Sequence, residues 1–105
     1  MKKQKQARLE AHGWKVGNAQ DFLGLSDEEA AYIEIKLALS QRVREMRQAR
    51  KLTQQEAAKL IGSSQSRVAK MEAGDPSVSL DLQVKSLLAL GASRQELGET
   101  IKYLG

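Results

Sequence analysis

A chain of 105 residues with an apolar fraction of 41% and only four aromatic side chains has length for one modest core, of the kind small helical proteins build from Leu, Ile, Val and Ala. The absence of cysteine excludes disulfides and thiolate metal sites, the lone His12 cannot hold a metal by itself, and no apolar run approaches the roughly 20 residues of a membrane span. The net charge of +4 is unevenly spread: residues 1–15 carry five basic groups against one acidic, residues 16–41 carry Lys36 against five acids, and residues 42–74 hold eight basic groups against three acids. A positive segment inside a nearly neutral chain suits a localised polyanion contact, although a solvated helix face would have the same charge. Met1 to Lys5 are not followed by the apolar stretch of a secretory signal, so a soluble cytoplasmic protein is expected.

In chain order, residues 1–25 read as a basic tail followed by an extended, glycine-punctuated arm. Trp14, Val16, Phe22, Leu23 and Leu25 of this arm would dock either on the domain's own core or on a partner. A domain is expected over 26–105. Ser26 followed by Glu29 is a capping box, and Asp27 and Glu28 favour the positive end of the helix dipole. No Gly or Pro follows until Gly62, and Ile35, Leu39, Val43 and Met46 recur at helical spacing, which predicts one long helix over about 27–51 with a bend near Leu39 and Ser40. Thr53 and Glu56 make a second capping box opening a second helix that Gly62 stops. Ser64 caps a third helix ending at Glu72 or Ala73 before Gly74, Asp75 and Pro76. Leu80 to Leu90 form a fourth, closed by Gly91, and Ser93 caps a fifth over 94–103 with Leu97 and Ile101 on one stripe. The fold class is therefore all-α, five helices with a long first helix and an N-terminal arm.

Residues 53–73 meet the needs of two helices crossing over a tight turn. Ala58 is small where the helices touch, Gly62 makes the turn, and Ile61, Val68 and Met71 fill the crossing. With Val68 and Met71 inward, Gln65, Ser66, Ala69 and Lys70 share the opposite face of the third helix. Gln pairs bidentately with an adenine edge, while Ser and Lys reach other acceptors in the major groove. Gln54, at the start of the second helix, is placed to bind phosphate beside free helix N–H groups, with Ser64 and Arg67 flanking for further backbone contact.

These residues carry a resemblance. Arg47, Leu52 to Ala58, Gly62 to Val68 and Met71 to Gly74 resemble the XRE family of helix-turn-helix proteins, the Cro and cI type of phage repressor. The resemblance implies a lambda-repressor-like DNA-binding domain with the third helix in the major groove, Gln54 on phosphate, and Gln65, Ser66 and Lys70 at base-reading positions. It also implies a structural pair between Arg47 and Glu72. The flanks, Trp14 to Gly17 and Asp21 to Glu29, resemble small HigA-like antitoxins, whose usual partner is a RelE-like toxin, a small ribonuclease.

The function expected is thus a sequence-specific DNA-binding transcriptional regulator, a repressor acting as the antitoxin of a type II toxin-antitoxin pair and autoregulating its operon. It would bind palindromic double-stranded operator DNA as a homodimer. The alternatives are a stand-alone prophage-type repressor, or an interaction module that neutralises a partner through the arm and the acidic block without reading bases. An enzyme is not expected: no catalytic residue set, phosphate loop, metal site or cofactor motif is present, and helix-start electrostatics accounts for Glu28 and Glu29.

Overall fold

The computed structural model describes residues 24–102. Residues 1–23 of the proposed tail and arm, with Trp14, Val16, Phe22 and Leu23, lie outside the described residues, as do Tyr103 and Leu104. Among the described residues the fold is all-α, with five helices and no strand: α1 Asp27–Ala49, α2 Gln54–Ile61, α3 Gln65–Glu72, α4 Leu80–Ala89 and α5 Arg94–Lys102. No helix among them is long and apolar enough to cross a membrane, and no group of three or more His, Cys, Asp or Glu side chains could hold a metal ion.

The helix starts follow local chemistry. Ser26 Oγ accepts from Glu29 N at 3.1 Å while Ser26 N donates to Glu29 Oε1 at 3.0 Å, and Thr53 with Glu56 repeats the box at α2. Ser93, the expected cap of α5, is joined by Glu96 in a third box, and Ser79, which the sequence reading did not include, caps α4 through Leu82 N. The glutamates of all three boxes are held below the ordinary carboxylate range, because each accepts a backbone N–H from its cap residue.

The helix ends share one solution. After α1, α2, α3 and α4 the chain closes with the same two backbone bonds, such as Gly62 N to Lys59 O and Ser63 N to Ala58 O after α2. This closure needs a left-handed residue, supplied by Gly62, Gly74 and Gly91 with φ of 76°, 76° and 104°. After α1 the residue is Lys51, with φ 57°. That closure ends α1 at Ala49, two residues short of the expected boundary, and α1 runs unbroken through Leu39 and Ser40.

At 23 residues α1 is about 35 Å long and serves as the plank on which α3, α4 and α5 pack, with α2 resting on α3 and α4. Leu39, Val43, Ala57, Met71, Leu87 and Leu90 form the centre of the core, all essentially without exposure. Leu25 is half-buried, while Ile33 and Leu37, the other apolar stripe of α1, remain largely exposed. Two polar residues of α4 enter the core. Gln83 donates through Nε2 to Lys36 O at 2.8 Å and meets Ser40 Oγ at 2.7 Å, pinning α4 to α1. Ser86 is fully buried, and its hydroxyl, like Gln83 Oε1, has no hydrogen-bond partner. The loop after α3 is tied to the same plank, with Lys36 Nζ donating to Pro76 O at 3.2 Å.

Candidate nucleic-acid interface

The α2–turn–α3 unit is assembled from within. Val68 and Met71 have no exposure and Ala58 is 3% exposed, so small and apolar residues fill the crossing, while Gly62 turns the chain. Burial of that side of α3 leaves Gln65, Ser66, Arg67 and Lys70 exposed, with Ala69 half-buried between them. Ser64 is the N-cap of α3, its Oγ accepting from Arg67 N at 3.1 Å; its hydroxyl proton remains for a further partner.

Behind this surface runs a connected chain of polar side chains. Arg47, on α1, donates from Nε to Glu72 Oε2 at 2.6 Å and from Nη2 to Glu72 Oε1 at 2.9 Å, a bidentate pair at the end of α3. Its Nη1 donates to Leu52 O at 2.9 Å, so one guanidinium joins α1, the α1–α2 loop and α3. The Arg47 and Glu72 side chains are 14% and 5% exposed, and donating to the Glu72 carboxylate raises the arginine further above its already high pKa, keeping it charged. Glu72 Oε1 also accepts from Gln54 Nε2 at 3.3 Å, and Gln54 Oε1 accepts from Gln65 Nε2 at 2.8 Å.

Gln54, the expected phosphate ligand, is also engaged within the chain. Its carbonyl holds Gln65, and its amide leans on the ion pair; one amide N–H remains for an outside acceptor. The sequence reading missed this coupling because eleven residues separate the two glutamines and nothing in the helical periodicity of either segment links them. Arg47, Thr53, Gln54, Gln55 and Gln65 together line an open depression between the start of α2 and the start of α3.

The charge of this region separates into two kinds. Arg42 is engaged by Glu45 and Glu96, Arg47 by Glu72, and Arg50 donates to Leu90 O at 3.2 Å. Arg44, Lys51 and Arg67 are exposed and make no hydrogen bond or ion pair among the described residues, so their charge is open to an external anion; Lys59 and Lys70 are exposed too, but act through their charge on Glu56 and Asp75.

A family model described as a helix-turn-helix domain matches residues 38–99, from the second half of α1 into α5. No curated protein and no solved structure matches the chain. The matched span covers the core, the capped α2–α3 unit and its exposed polar face, and on that match the chain belongs to the helix-turn-helix domain family, a family of DNA-binding regulators.

Proposed function

We propose that this chain is a sequence-specific transcriptional repressor that lays α3 in the major groove of operator DNA. Gln65, Ser66 and Lys70 read base edges, while Gln54, Ser64 and Arg67 hold phosphates. The observation that supports this most directly is the hydrogen bond from Gln65 to Gln54, backed by Glu72 and Arg47. It holds a side chain able to pair bidentately with adenine on the exposed face of α3 before any ligand arrives. A homodimer on a palindromic site follows from the need of a small domain for two half-sites.

The test is a selection of bound duplexes from a random pool, followed by affinity measurements on the enriched site. Gln65→Ala should cost about 1–3 kcal/mol and relax the preference at one base pair, and Lys70→Ala should weaken binding to the same site. Unchanged affinity and unchanged preference in both variants would remove α3 as the reading element.

The antitoxin reading is the finer form of this proposal. It draws support from the acidic first half of α1, where Glu28 and Glu29 are exposed alongside Tyr32, Ile33 and Leu37, a face suited to a basic partner. A neighbouring reading frame for a small basic ribonuclease that co-purifies with this chain is the expected finding. Without such a neighbour, a stand-alone prophage-type repressor becomes the better account.

A further inference from the structure

Four helices of this protein end with the same pair of backbone hydrogen bonds, and each closure needs one residue at positive φ. Glycine fills that place after α2, α3 and α4, as Gly62, Gly74 and Gly91. After α1 it is Lys51, at φ 57°, with Lys51 N donating to Gln48 O at 2.9 Å and Leu52 N to Arg47 O at 3.1 Å. A side chain with a Cβ is strained in the left-handed region, and lysine, unlike asparagine, has no short polar group to relieve it. Nothing inside the fold repays that strain: the Lys51 side chain is exposed and makes no hydrogen bond or ion pair among the described residues.

What Lys51 does have is its position. It directly precedes Leu52, whose carbonyl is fixed by Arg47, and it stands two residues before Thr53, which caps α2 and lines the open depression with Gln54 and Gln65. Lys51 thus adds an exposed, unpaired cation to the loop that leads into the N-terminus of α2. We infer that Lys51 is a phosphate-binding residue of the DNA interface, its charge retained at a position where the fold alone would favour glycine. This rests on the DNA-binding reading and adds to it a contact outside the α2–α3 unit.

Lys51→Gly separates the two contributions because they have opposite signs. The probe is a mixed-sequence 20-base-pair duplex, since a phosphate contact needs no particular sequence, titrated with the full chain between 50 and 300 mM salt. In the glycine variant Tm should rise by about 3–6 °C as the strain is relieved. Its affinity should nonetheless fall about eightfold at 0.1 M salt, and the slope of log affinity against log salt should shrink by about 0.9. Lys51→Arg, which keeps the charge and the strain, should leave slope and Tm near wild type. A glycine variant that binds with wild-type affinity and slope overturns the inference while leaving the DNA-binding reading intact. A wild-type chain that shows no salt-dependent binding to the duplex overturns that reading, and the inference with it. Because the glycine variant is expected to be more stable, lost binding cannot be ascribed to unfolding.

Discussion

Arg47 and Glu72 bring a charged pair close to the core, and the cost of doing so governs what happens when either is changed. Desolvation of two ions offsets much of their attraction, so the pair adds little against an apolar substitute, but either ion left alone in that place is expensive. Arg47→Met should therefore cost about 3–5 kcal/mol in urea unfolding, because Glu72, 5% exposed, loses its bidentate partner. The double variant Arg47→Met with Glu72→Leu should recover most of that loss. A single variant as stable as wild type would mean that the pair, for all its short distances, carries no weight in the fold. In the double variant Gln54 also loses Glu72, so the pose of Gln65 is expected to loosen even as stability returns.

Among the elements, α4 shows most clearly what a sequence conceals. Its apolar residues Leu80, Val84, Leu87 and Leu88 announce a helix, and the structure has one, but the side chain that pins it to α1 by hydrogen bonds is the polar Gln83, and Ser86 is buried beside the apolar core. Polar side chains within a helical stripe read as solvent-facing; only the tertiary fold reveals that Gln83 reaches Lys36 O and Ser40 Oγ across the interface. Ser86 has no such partner, so Ser86→Ala should stabilise by about 1 kcal/mol, by removing a desolvated hydroxyl and improving helix propensity. A lowered Tm in that variant would show that the hydroxyl does find a partner. By contrast the helix starts were legible, since Ser26, Thr53 and Ser64 act through residues three positions away. Local chemistry can be read from a string. The left-handed Lys51, the Gln54–Gln65 link and the burial of Gln83 depend on a backbone angle or on distant pairs, and the string holds no trace of them.

At the scale of the whole molecule, acid sensitivity is distributed along the chain. Glu29, Glu56 and Glu96 are each held below the ordinary value by a cap residue's backbone N–H, and Asp75 likewise by that of Ser77. A carboxylate whose pKa is depressed by folding contributes stability in full above its unfolded value and loses it as pH falls through the folded one. Stability should thus be level near neutrality and decline below the ordinary carboxylate range. Replacing the three glutamates by glutamine keeps a hydrogen-bonding group in each box but removes its titration. The triple variant should show a smaller drop in Tm between pH 7 and pH 3 than wild type, and an equal drop would place the acid sensitivity elsewhere.

The polar chain from Arg47 through Glu72 and Gln54 to Gln65 also bears on how such a protein can change over generations. On the proposed reading, the side chain that selects a base is held by a neighbour whose own anchor lies beside the core. Residues joined in one network do not vary independently, because a substitution at one alters the energetic effect of a substitution at the next. A new residue at position 65 would inherit a socket shaped for glutamine, and a new residue at position 54 would set free the reader it was meant to hold. Divergence of operator preference is then a matter of paired replacements, with intermediates that bind their old site poorly and their new site scarcely better. The hydrogen bonds that prepare the surface for one sequence are also what makes its inheritance conservative.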